Sequence, residues 1–201
     1  MARGDDGTRP VSRDELRRRA HDLFAGLRGR VLEVGAGDGE NLDAFGASVS
    51  WTGIEPDAVS RRHLQVEARR HDFVDQVLDA RCENLPFAAD SFDAVVATLV
   101  FCSVTDLDGS LAEVMRVLKP GGTLACVEHV HAPKGARRVI QSLATPLSAR
   151  WDGNCHWNRD PVGAARRAGF LGERLETFEL DTGVPFLPAP CVVYVGVKPS
   201  A

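Results

Sequence analysis

The residue pattern that first invites a chemical reading is VLEVGAGDGEN, Val31 to Asn41, where Glu33, Gly35, Gly37 and Gly39 stand at every second position. The apolar residues before it read as a buried strand. Glycines directly after a strand give a tight turn without side-chain bulk, so a ligand can come close to the backbone. The spacing departs from GxGxxG, which sets a helix N-terminus against a pyrophosphate. An acid at the strand end suits a cationic or ammonium-bearing ligand better than two phosphates, and Asp38 would repel a pyrophosphate. A second acid, Glu55, follows sixteen residues after Gly39, at the end of another apolar run. A carboxylate there can accept hydrogen bonds from both hydroxyls of a ribose. NAD and S-adenosylmethionine both carry that ribose, and only the second is a cation with an amino-acid tail and no phosphate. A plain structural turn and a nicotinamide-dependent oxidoreductase are the competing readings. The missing GxGxxG and Glu33 disfavour the oxidoreductase.

A second set of reactive side chains lies downstream in EHVHAPKG and WDGNCHWNR: His129, His131, Asp152, Cys155 and His156. Asp152 and His156 are the first candidates for a base or an acceptor-orienting group, with His129 third. The bland alternative is that they are surface or hydrogen-bonded structural groups. No metal is expected at Cys155–His156, because no other ligands keep suitable spacing. The chain has five cysteines, an odd number with no CxxC pair, so neither a disulfide framework nor a zinc site is expected. Cys126 and Cys191 sit in apolar runs and read as core.

Alternating elements must position these groups. Residues 1–11 read as a loose polar tail and 12–28 as a helix. SRDE is a capping box there, and Leu16, Ala20, Leu23, Phe24 and Leu27 fall on one face. The Arg17–Arg19 run reads as a solvated face. RVLEVG, VSWTGIE, FVDQVLDA, FDAVVATLV and GTLACVEHV read as five strands. Helices are expected around Asn41–Phe45, in PDAVSRRHLQVEARRH starting at Pro56 or Asp57, in DLDGSLAEVMRVL, and in PVGAARRAGF. GERLETFEL and CVVYVGVK close the chain as two strands with no helix between, so they should pair antiparallel at one edge. The alternation argues for a parallel sheet with helices on both faces.

Totals narrow the class. A length of 201 residues suits a single domain, 1–201. The net charge of −4 gives no support for a nucleic-acid partner. No apolar run approaches the ~20 residues of a membrane helix. The N-terminus lacks the apolar core of a secretory signal. No membrane association and a cytoplasmic address are the expectations; the oligomeric state is not encoded legibly.

Four stretches together, VLEVGAGDGEN, GIEPD, CENLPFAADSFDAVVA and VMRVLKPGGTLACVEH, resemble the class I S-adenosylmethionine-dependent methyltransferases with LPF, SFD and LKPGG signatures. The match runs from about Arg30 to Val130 and continues more weakly beyond. The resemblance implies a Rossmann-like α/β fold, a seven-stranded sheet with an antiparallel C-terminal hairpin. It implies that Glu33, Gly35, Ala36, Gly37 and Asn41 line the methionine and ribose part of S-adenosylmethionine. Glu55, with Pro56 after it, would hold the ribose hydroxyls. Cys82 and Glu83 would face the adenine. Thr98, Leu99 and Val100 would border the sulfonium, and LKPGG would be a structural turn. Many relatives carry an Asp two residues before that Glu, where this chain has Arg81, which has no acceptor. The adenine contact would then fall to backbone, Asn84 or the Cys82 carbonyl.

TLVFCSV, LKPGG, EHV and DGNC before an Arg resemble the methyltransferase-like 7 group, associated with S-methylation of small alkyl thiols. That group's membrane-anchoring N-terminus has no counterpart here, so a soluble bacterial-type relative is expected. The stretch 131–158 is expected to form a lid over the acceptor, with Trp151 and Trp157 as apolar walls. Little chain is left for an acceptor domain, which favours a small molecule. A thiol with pKa near about 8.5 needs no strong base, whereas a phenol or alcohol would. The alternatives are an O-, N- or C-methyltransferase of a secondary metabolite or quinone-like ring, and a cofactor-binding protein without catalysis.

Overall fold

The computed structural model describes residues 9–132, 135, 138, 141, 155–183 and 188–200. Seven strands form one sheet: β1 Gly29–Val34, β2 Val49–Ile54, β3 Val74–Leu78, β4 Phe92–Thr98, β5 Leu118–His129, β6 Leu171–Leu180 and β7 Ala189–Val197. Their order is β3-β2-β1-β4-β5-β7-β6, parallel from β3 to β5 and antiparallel at β7 and β6. Helices cover both faces. The helices α1 (Arg13–Phe24) and α2 (Ala58–Ala68) bury Leu16, Ala20, Phe24, Leu64 and Ala68 on one side. The helices α3 (Leu107–Val117) and α4 (Pro161–Arg167) bury Leu111, Val114, Val117, Val162 and Ala165 on the other. Being covered twice, β1 buries residues 31–34 and β4 residues 94–97 without alternation.

Local chemistry explains the helix starts. The Ser12 hydroxyl accepts the Glu15 N–H at 3.2 Å, and the Asp57 carboxylate accepts those of Val59 and Ser60 at 3.0 and 2.9 Å. Both satisfy amides that the helix leaves without partners. Three expectations change. The helix around Asn41–Phe45 is a 3-10 turn, Leu42–Ala44. Five residues before a glycine are too few to sustain an α-helix, and the Asn41 side chain turns inward instead of capping. Val11, at the end of the expected loose tail, bridges Leu180 and exchanges backbone bonds of 2.8 Å with Glu179 and Asp181, while residues 1–8 of that tail lie outside the described residues. Strand β5 begins earlier than GTLACVEHV, because Leu118 pairs with Phe92 before the KPGG excursion, and pairing resumes at Thr123–Ala94.

Trp51 and Gly53 lie on the same face of β2. A Cβ on Gly53 would stand 2.1 Å from the Trp51 ring. Glycine therefore lets the indole fold along its own strand and reach the strand beside it. Among the described residues no helix is long and apolar enough to cross a membrane.

Candidate active site

The parallel strand order reverses between β1 and β4, where a doubly wound sheet opens its ligand crevice at the carboxyl ends of the strands. A cleft of about 820 Å³ lies there. The Gly35–Gly37 turn after β1 forms one wall. Gly35 has φ +61°, and a Cβ on it would meet Val100 at 2.6 Å. Gly37 has φ +56° and open space where a Cβ would point. Ala36 and Asn41 also line the cleft.

Glu33 is placed differently from the expectation: it lies beneath the cleft rather than among its lining residues, and is 1% exposed. Its oxygens accept Asn41 Nδ2 at 2.7 Å and the Trp51 indole N–H at 3.0 Å. Asn41 Nδ2 also donates to Thr98 Oγ1 at 3.2 Å, so Glu33 orients an amide that does face the cleft. Burial raises the Glu33 carboxyl to about 7, against the lowering effect of its two donors. Between about 4.5 and 7 the native state therefore holds a proton that the unfolded chain has lost. This contribution to stability is fully present below about 4.5 and is lost as pH rises towards 7. From pH 5.5 to 7 it should fall by about 2 kcal/mol. Urea unfolding at the two pH values should show a smaller drop in Glu33→Gln by about that amount; identical pH slopes would remove the assignment.

Glu55, at the end of β2, is buried beside the glycine turn. Its two oxygens accept the N–H of Gly37 at 2.9 Å and of Asp57 at 2.8 Å. Each oxygen keeps a second lone pair. Pro56 follows it on the cleft wall. Across the cleft, Cys82 is buried and Glu83 half-buried, and both line the wall with Arg81. The Arg81 carbonyl accepts the Asn84 N–H at 3.1 Å, closing a small turn. The Glu83 carboxylate accepts the Thr105 N–H at 2.6 Å and so ties this turn to the approach of α3.

The segment after β4 is clamped from two sides. Leu99 takes φ +57°, a left-handed value uncommon for a branched side chain. Beyond it, the fully buried Glu128 of β5 accepts the N–H groups of Val100, Phe101 and Cys102 at 2.8, 3.0 and 3.3 Å. The Arg159 guanidinium donates to the Phe101 carbonyl at 3.1 Å and to that of Val104. This is the arginine that follows DGNC. Burial raises the Glu128 carboxyl to about 7, countered in part by the three backbone donors. Thr98, Leu99 and Val100 line the cleft on this side.

Of the catalytic candidates, His129 lines the cleft at the end of β5. His156 does not: its N–H donates to the Cys102 carbonyl at 2.8 Å, and its Nδ1 is buried without a partner among the described residues. Asp152 and Trp151 lie outside the described residues, as does most of 131–158. His131 turns away, with Nδ1 at 3.0 Å from the Ala132 carbonyl and Nε2 at 3.9 Å from Asp160.

Two features escaped the sequence reading. Arg13 and Arg17 of α1 are exposed, Arg17 as expected for a solvated face, and both also line the cleft. Cys102 and Cys155 join His129 in the cleft wall, with ligand-type atoms all within 4.8 Å of one another and His129 Nδ1 3.3 Å from Cys155 Sγ. The neighbouring Cys155 thiol and burial together push the Cys102 thiol well above its ordinary value. No spacing rule links residues 102, 129 and 155. The tertiary fold gathers them, His129 from β5 and the two cysteines from the segments packed beside it.

Known proteins resemble this chain in sequence and fold. The family model described as a methyltransferase domain matches residues 32–126. The chain is 34% identical over 150 residues to the thiol S-methyltransferase TMT1B of Rattus norvegicus, covering 73% of this chain and 62% of that protein's length. It is 30% identical over 152 residues to the phosphatidylethanolamine N-methyltransferase of Cereibacter sphaeroides, covering 75% of this chain and 72% of that one. The fold superposes with a TM-score of 0.70, at 17% identity, on the geranyl diphosphate C-methyltransferase of Streptomyces coelicolor, solved with S-adenosyl-L-homocysteine. That match covers 92% of this chain and 76% of the other. With a glycine turn and a buried carboxylate beside the switch point of such a sheet, the chain belongs to the class I S-adenosylmethionine-dependent methyltransferases.

Proposed function

We propose that this cleft binds S-adenosylmethionine and passes its methyl group to a small-molecule thiol. The bound cofactor supplies an electrophilic methyl carbon on a sulfonium sulfur. The residues present fit it. Gly37 leaves open space beside the Glu55 carboxylate, whose remaining lone pairs can accept both ribose hydroxyls. Asn41, fixed by Glu33, would hold the methionine part, and Arg13 and Arg17 would face its carboxylate. Cys82 and Glu83 would border the adenine, and Thr98 and Leu99 the sulfonium.

The observation that carries the thiol reading is the wall beyond Leu99. It brings Val100, Cys102, His129 and Cys155 together, apolar and sulfur-bearing with one imidazole, while Ser103, Val104 and Thr105 line the cleft further along the same segment. In-line transfer demands alignment above all. A thiol, partly ionised near neutral pH, asks for no strong base. The relatives named thiol S-methyltransferases support the same acceptor class. The Cereibacter relative is the reason to include an amine as the second reading.

Transfer of labelled methyl to an alkyl thiol, a phenol, a catechol and an amine tests it. The expected outcome is labelling of the thiol, with kcat/KM rising towards the thiol pKa. Labelling of the amine or phenol alone, with a rate limb set by a lower-pKa base, would transfer the assignment to that acceptor.

A further inference from the structure

We propose that Cys102 Sγ, Cys155 Sγ and a ring nitrogen of His129 form a zinc site in the cleft wall, its fourth position facing the cleft and open to an acceptor thiol. The proposal rests on the thiol reading only for the identity of that fourth ligand.

Geometry comes first. Tetrahedral zinc with sulfur at about 2.3 Å and nitrogen at about 2.0–2.1 Å sets its ligand atoms roughly 3.5–3.8 Å apart. Here one sulfur–nitrogen edge is 3.3 Å, and all three atoms lie within 4.8 Å of one another. Shifts of an ångström or less would close the set. Three protein ligands with a position left over is the pattern of catalytic zinc, whereas structural sites close with four.

The backbone around the cluster is already fixed. Glu128 and Arg159 hold the loop that carries Cys102. The His156 N–H on the Cys102 carbonyl ties the Cys155 segment to the same loop. His129 pairs in register with Cys191 of β7. Ligands carried by such supported segments lose little freedom on binding a metal. Charge also balances: two thiolates neutralise a divalent ion, so a half-buried site carries no net charge until the acceptor arrives. Soft sulfur with imidazole selects zinc over magnesium or calcium.

The chemistry closes without another reagent. Zinc binding displaces one proton from each cysteine to solvent. An acceptor thiol at the fourth position loses its proton to solvent. Its sulfur then forms the bond to the sulfonium methyl carbon, while that carbon's bond to the cofactor sulfur breaks and leaves the electron pair there. The thioether product is a poor ligand and departs.

The test is cobalt(II) titration of the full chain under a non-thiol reductant, read by visible absorption, with zinc content measured on the protein as purified. The expected result is one metal per chain, tetrahedral thiolate–cobalt bands, and a band shift on adding an alkyl thiol. Cys102→Ser and Cys155→Ser should each weaken metal binding by more than the roughly 10–100-fold that loss of an outer partner costs. Cys126→Ala, in the sheet core, should leave it intact. Absence of metal uptake, uptake that both serine variants retain, or bands indifferent to thiol would overturn the proposal. Thiol methylation by metal-free protein would overturn it too, while leaving the thiol acceptor standing.

Discussion

Glu128→Ala is expected to lower the folding free energy by about 3–5 kcal/mol and to abolish methyl transfer. The carboxylate is fully buried and takes three consecutive backbone N–H groups. Alanine leaves those donors without acceptors in a place water does not reach, at about 1–3 kcal/mol each. Release from burying an acid whose carboxyl is already raised to about 7 offsets part of this. Glu128→Gln separates the contributions. Its carbonyl can still serve Val100 and Phe101, which share one oxygen, but its amide nitrogen would face the Cys102 N–H donor to donor. An intermediate loss of about 1–2 kcal/mol is expected. Urea midpoints of the three proteins check the order, and equal losses for alanine and glutamine would mean that the clamp is not what holds the loop. Activity should fall further than stability, because Leu99 sits at a left-handed φ only while the residues after it are held.

Glu55→Ala should raise the dissociation constant for S-adenosylmethionine by a few hundredfold, with the fold intact. Two charge-assisted hydrogen bonds to ribose at about 1.5–3 kcal/mol each give roughly 3–4 kcal/mol after imperfect geometry. The same carboxylate holds the Gly37 N–H, so its loss also loosens the glycine turn beside it. Calorimetric titration with S-adenosylhomocysteine measures the effect apart from the acceptor. A change below about fivefold would show that the ribose is held elsewhere.

Periodicity and caps made most of the frame legible. The strand runs, the Ser12 cap, Asp57 at the start of α2 and the proline opening α4 all follow from local chemistry. The position of Glu55 was legible because it directly follows the second apolar run, which forms β2. Glu33 was misplaced because sequence shows that an acid ends the strand region, not which way β1 turns it. Its depth depends on Trp51 folding over Gly53 from the adjacent strand. Arg17 was legible as solvent-exposed because α1 buries Leu16 and Ala20 instead. That the cleft mouth also reaches it, on the flank next to that buried stripe, is a matter of tertiary placement. Cys102, His129 and Cys155 come from three separate elements. Their convergence is a property of the strand order and of the contact between His156 and Cys102.

Strand β7 follows β6 in sequence yet lies between β5 and β6. During folding β6 has no sheet edge of its own to join, since the edge of β5 pairs with β7. Until β7 docks between them, β6 and the free edge of β5 are both open to pairing with other chains. The half of the sheet that carries the cleft can assemble on the ribosome earlier, so the nascent chain could acquire its cofactor before its fold is closed.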